Sequence, residues 1–159
     1  MAEFALIAPL LFLLLFGVIQ VGLLLAAQNG LVNGVRDTAR RAATYRINQD
    51  SFDVTTFSAI CDAVETNLTD KLRGEIPGFT STQLTRTVSY DWRVNPDGTT
   101  YFLYARVRAT YANPLYIPLI GRFFPGAVGN TLPLSASEEM RVENPALSPT
   151  SPVTETCAT

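Results

Sequence analysis

From Phe4 to Ala27 the chain carries no charged side chain, and Glu3 stands immediately before that run. At 1.5 Å per residue the run makes roughly 36 Å of helix, enough to cross a hydrocarbon core of about 30 Å with some tilt. A segment such as Leu10-Leu11-Phe12-Leu13-Leu14-Leu15-Phe16 has no use at the amino end of a small soluble domain. A secretory signal has an apolar core of about 7–15 residues, with a basic residue before it and a small-residue cleavage site after it. This run is longer, and no Lys or Arg precedes it. We therefore expect a retained helix that anchors the chain in a membrane by its amino end.

Beyond the helix about 110 residues remain, enough for one modest core. The chain as a whole is 47% hydrophobic, a value the anchor inflates, and its net charge is −2 with a pI near 5.1. That balance gives no electrostatic reason to expect nucleic acid as a partner. Histidine is absent, which removes the commonest general base and the commonest neutral metal ligand. The two cysteines, Cys61 and Cys157, form no CxxC pair. Their distance argues against zinc and redox catalysis, and leaves a structural disulfide in an oxidising compartment, which we expect, or two idle thiols.

Orientation receives conflicting signals. Arg36, Arg40, Arg41 and Arg46 all follow the apolar run, and the positive-inside rule taken literally would leave the domain in the cytoplasm. The rule acts on the precursor, however, and a basic leader removed after insertion would leave this same sequence. The distant cysteine pair favours the outside.

Helical period continues past Gln28 and Asn29. Leu31, Val35, Ala39 and Ala42 share a face with Val32 and Ala43, while Asn29, Asn33, Arg36, Asp37, Arg40 and Arg41 cover the other. One helix from about Phe4 to Tyr45 is expected, apolar in its first half and amphipathic in its second. Gly30 and Gly34 each cost about 1 kcal/mol relative to Ala and suggest a bend above the membrane. The arginines are either a site for anionic head groups or a solvated face. A second helix starts near Ser51, an N-cap residue, and carries Phe57, Ile60, Cys61, Val64, Leu68 and Leu72 at three- and four-residue steps. It stops near Gly74, ahead of Pro77-Gly78. The glycosylation sequon Asn67-Leu68-Thr69 falls mid-helix and carries little weight.

From Leu84 the period becomes two. Leu84, Val88, Tyr90, Trp92 and Val94 alternate with polar residues, and Asn95-Pro96-Asp97-Gly98 supplies a tight turn. Tyr101, Leu103, Ala105, Val107, Ala109 and Tyr111 mark a second strand, and Leu132 to Val142 a third. The fold class is thus α+β: a long membrane-spanning helix continued by an amphipathic one, then a second helix packed on a three-stranded antiparallel sheet. Arg86 and Glu138 break the apolar faces; they either pair across the sheet or, as we expect, sit at wet edges. We divide the chain into the helix at 1–46, a head domain at 47–143 and a Pro/Ser/Thr-rich tail at 144–159, extended and without a core of its own.

Between the second and third strands, Leu115, Tyr116, Ile117, Leu119, Ile120, Phe123 and Phe124 stand among prolines and glycines. The segment is either a lid on one end of the core or a contact patch, and Tyr116, Ile117, Phe123 and Phe124 are the expected contacts with a partner or the bilayer surface. Motifs for chemistry are missing: no glycine-rich phosphate loop, nucleophile elbow or metal-ligand cluster is present. The carboxylates of Glu138-Glu139 point to opposite faces of a strand and cannot act as a pair. We expect no enzyme, no cofactor and no metal.

Glu3-Phe4-Ala5-Leu6-Ile7-Ala8-Pro9, the leucine-rich run and Gly17-Val18-Ile19-Gln20-Val21-Gly22 resemble the start of TadE-like proteins, minor pseudopilins of the tight-adherence (Tad/Flp, type IVc) pilus. The likeness extends more loosely to Thr131-Leu132-Pro133-Leu134 and Met140-Arg141-Val142-Glu143. The resemblance implies a pilin-like fold in a non-catalytic assembly component, whose precursor is cut after a Gly by a prepilin peptidase. It also implies a single pass through the bacterial inner membrane, a periplasmic head and possible incorporation into the pilus. Partners would be other pseudopilins, the major pilin, the inner-membrane assembly platform and the lipid bilayer. Glu3 stands closer to the start than is usual in the family. A carboxylate heading an apolar helix costs about 2.5–3.5 kcal/mol to bury alone. Paired with the α-amino group of a neighbouring subunit it would set the axial register of packed helices; otherwise it rests among head groups, favoured by the helix dipole. A membrane-anchored sensor or ligand-binding domain unrelated to pili is the alternative.

Overall fold

The computed structural model describes residues 2–45, 54–94, 96, 98, 101–117, 124–143 and 154–157. Helix α1 runs Ala2–Thr44 and helix α2 Val54–Glu75; four strands follow, β1 Leu84–Val94, β2 Tyr101–Pro114, β3 Thr131–Arg141 and β4 Thr154–Thr156. The long apolar run and the amphipathic segment are one continuous helix that passes through Gly30 and Gly34 without a break. The N-cap expected at Ser51 and the contribution of Phe57 lie outside the described side chains. Gly98, with φ 70°, occupies the left-handed position expected of the β1–β2 turn; the rest of that turn is also outside the described residues.

All strand pairs are antiparallel, in the order β3-β2-β1-β4. The expected three strands are present with a fourth added: the tail carries β4, which pairs with the free edge of β1 through Ser89, Tyr90 and Asp91. One face of the sheet is the core. Val88, Tyr90 and Trp92 of β1 and Leu103, Ala105, Val107, Ala109 and Tyr111 of β2 are buried there beneath both helices. From α1 come Ala27, Leu31, Val35, Ala39, Ala42 and Ala43, and from α2 Cys61, Val64, Leu68 and Leu72. Both α1 and β2 bring buried alanines to this core, Ala27, Ala39, Ala42 and Ala43 from the helix and Ala105 and Ala109 from the strand, side chains with no rotamers to freeze. Val32, grouped with the apolar face in the sequence reading, instead turns outward and is 43% exposed.

Arg86 and Glu138 do not pair with each other, and Arg86 is not at a wet edge. Its Nε lies 2.7 Å from Oε2 of Glu65, a buried carboxylate on α2, and its Nη1 donates to Thr69 Oγ1 at 3.3 Å. Glu65 and Thr69 are one turn apart on the helix face over β1, so α2 brings its own counter-charge onto the sheet. Glu138 meets Arg36 of α1 at 3.8 Å, with both side chains partly exposed. Glu139 points the opposite way, to the outer face.

Candidate assembly interface

Helix α1 has two lives. Every described side chain over residues 7–19 is exposed or half-exposed, whatever face of the helix it lies on, with Leu10 at 72%. This is the one helix among the described residues long and apolar enough to cross a membrane. At Gln20 the environment changes abruptly: this side chain is 1% exposed, and its Oε1 accepts the backbone N–H of Tyr116 at 3.1 Å. Leu24, Ala27 and Leu31 continue the buried stripe, and Tyr90 Oη donates to the Ala42 carbonyl at 3.3 Å toward the other end. Burial raises the Tyr90 phenol above its usual range. From Gln20 to Ala42 is about 33 Å of helix; between these two ties α1 lies lengthwise along the strands. Gln20 was not singled out from sequence, although a lone amide in an otherwise apolar helix is a signal for an inward-facing polar contact.

The glycines expected to bend α1 serve another purpose. A Cβ on Gly30 would stand 2.8 Å from the Glu75 carbonyl oxygen, and one on Gly34 would stand 2.6 Å from Leu72 Cδ2. They let α2 cross α1 at close range. Lys71 and Asp37 pair at 2.8 Å just beyond the crossing. That hydrogen bond, helped by the charges of Lys71, Arg41 and Arg40, holds the Asp37 carboxyl below its ordinary value. Arg36, Arg40 and Arg41 are exposed. Arg40 lies about 30 Å along the helix from Gln20, so the cluster stands well beyond the bare apolar segment.

Cys61 of α2 is joined to Cys157 by a disulfide spanning 96 positions of sequence. The Cys157 N–H also donates to the Val88 carbonyl at 2.9 Å. The crosslink thus fastens β4 both to the edge of β1 and to α2.

Of the expected contact residues, Tyr116 and Ile117 follow the end of β2, and Phe124 precedes the turn that leads into β3. Leu115 is buried, and its N–H donates to the Asn130 carbonyl at 2.8 Å. Tyr116 is 58% exposed, while Ile117 and Phe124 are half-buried. Phe123 lies outside the described residues, as does the Glu3 side chain. Val128 and Thr131 exchange backbone hydrogen bonds at 2.9 and 3.2 Å, closing a turn through Gly129 at φ 61°. Val128, at 73%, is the most exposed large apolar residue described.

At the opposite end, the outer face of the sheet is charged. Glu139 is 2.7 Å from Arg93 and 2.6 Å from Arg106, and Asp91 stands 3.8 and 3.7 Å from the same two guanidinium groups. Hydrogen bonding to Arg93, then to Arg106, holds the Glu139 carboxyl below its usual range. Arg93 lies over the Tyr104 ring and Arg141 over Phe102. These groups are paired with one another, an arrangement that braces the sheet.

Residues 1–40 match the family model described as TadE-like protein. No curated protein and no solved structure is significantly similar to the chain. The match covers the bare segment of α1 and most of its buried continuation.

Proposed function

We propose, from the premise that residues 1–40 are TadE-like and mark a protein associated with the Tad pilus, that this chain is a minor pseudopilin. In this reading it is a non-catalytic assembly component anchored in the inner membrane by α1. Its head domain lies in the periplasm, where an oxidising environment sustains the Cys61–Cys157 bond. The observation that carries the reading is the division of α1: a helix bare on all sides over residues 7–19 that continues, unbroken, as the spine of the head. A helix of that form packs first against lipid and then, with little change of surface chemistry, against other apolar helices. Packing between such helices rests on close van der Waals contact rather than on a hydrophobic driving force. The head domain then meets the other pseudopilins and the major pilin. No convergent acid–base pair or nucleophile is found among the described residues to support catalysis.

Glu3 is assigned the register role. Within apolar surroundings its carboxylate is stabilised by a positive group on the neighbouring subunit, which fixes one axial offset between helices. Glu3→Gln keeps the size and removes the charge. It is expected to leave protein level and head folding unchanged while piliation, or recovery of the protein with sheared pili, falls sharply. Normal piliation by the variant at normal protein level would remove the register role.

A further inference from the structure

The head domain is chemically lopsided along the axis of α1. No residue from Ile7 to Val35 carries a charge, and α1 is bare up to the level of Gln20. The Gln20–Tyr116 hydrogen bond sets the β2–β3 connection beside the helix at that level. The described residues of that end, 111–117 and 124–134, likewise include no charged side chain. Outward-facing apolar groups nevertheless remain there, led by Val128 at the turn and Tyr116. The charged cluster of Arg93, Asp91, Arg106 and Glu139 runs from the middle of the sheet, at Arg106, toward its other end.

From this we infer that the two described arms of the β2–β3 connection, 115–117 and 124–130, form through Tyr116, Phe124 and Val128 a second, interfacial membrane contact that seats the head end-on against the lipid bilayer. The inference rests on reading α1 as the anchor. Glu3 to Gln20 is about 26 Å of helix, and the hydrocarbon core is about 30 Å thick. With Glu3 at one face, the other face falls slightly past Gln20, at the depth of the connection. Lipid is the occupant because, among the described residues, no charged side chain stands between the exposed apolar groups of the connection and the bare segment of α1, which meet at the level of Gln20. Arg122, the cation of the connection, lies outside the described residues. Tyr116 has the form such a position favours: its body is exposed, while its hydroxyl reaches 2.6 Å from where a Cβ on Gly78 would be, beside the C-terminal end of α2. An amphipathic ring at head-group level, apolar body toward the lipid and polar tip toward water, is how tyrosine sits at membrane interfaces.

The test uses the full chain in phosphatidylcholine vesicles carrying bromine either near the head group or near the chain end. Trp92, the single tryptophan, is buried in the core, about 36 Å from Pro114 as measured along β2 from its partner Leu103. It is a built-in reference that both lipids should leave bright. Val128→Trp and, independently, Phe124→Trp should add emission that is blue-shifted by the vesicles and lost to shallow bromine, while Phe12→Trp is lost to deep bromine. Quenching of Phe12→Trp alone, with both connection reporters bright, would overturn the inference and leave the anchor intact. A bright Phe12→Trp would remove the anchor reading itself. Quenching of Trp92 in the parent would mean that the head lies flat, and protection of the connection reporters only at high protein-to-lipid ratio would assign the surface to a second copy; either result overturns end-on seating.

Discussion

Glu139 shows how a single side chain organises one end of the head. Its carboxylate accepts from Arg93 and Arg106 at 2.7 and 2.6 Å, and those bonds are why it ionises more readily than a free glutamate. A carboxyl whose folded-state value lies below its unfolded one stabilises the fold above the unfolded value and loses that contribution as pH falls through the folded one. Acid unfolding of the wild type should therefore include a component that begins below the ordinary value of 4.5. Glu139→Gln should abolish it, at a cost near neutral pH of about 1 kcal/mol or less, because all three side chains are partly open to water. Parallel chemical denaturation curves across the acid range would check this; identical pH slopes for the two proteins would contradict it.

At the scale of elements, the α1–α2 crossing makes a sharper claim. Gly30 faces backbone, the Glu75 carbonyl, whereas Gly34 faces the movable end of the Leu72 side chain. Alanine gains about 1 kcal/mol over glycine in a helix interior, and overpacking costs about 1–3 kcal/mol where neighbours cannot move. Gly30→Ala should thus lower stability by up to about 2 kcal/mol, while Gly34→Ala should match or slightly exceed wild type, within about 1 kcal/mol, as measured by denaturant midpoints. The reverse order would mean that α2 yields more easily than Leu72. The same two glycines mark the limit of what was legible in the sequence. Glycine in a helix permits either bending or close approach, and only the partner across the groove decides which. Strands β1 to β3 were readable because a two-residue period persists over eleven or more positions, and both helices because a stripe at three- and four-residue steps does the same. Three-residue β4 has no period to read and exists through its pairing. The partner of Arg86 was hidden for a related reason: Glu65 is 21 positions away on another element. The apolar character of the β2–β3 connection was legible, but its place beside Gln20 was not, since one hydrogen bond across 96 positions leaves no trace in a linear pattern.

For the whole molecule, the disulfide and α1 are the two long-range ties. Closing a loop of 96 positions removes unfolded-chain entropy worth on the order of 4–5 kcal/mol in the chain-entropy account. Thiol labelling of denatured, unreduced protein should find no free cysteine. Reduction should lower the unfolding midpoint and expose the Cys157 amide, now bonded to Val88, to rapid hydrogen exchange. Two reactive thiols before reduction would contradict the crosslink. Helix α1 ties the parts together differently, since the bare segment and the spine of the head are one rod. A pull along that rod, such as extraction from a bilayer would exert, arrives at the head as shear. It is opposed at once by the contacts spread from Gln20 to Ala43, not by the peeling of one contact after another. The junction between anchor and head therefore has no weak link of its own: its mechanical strength is that of the hydrophobic core.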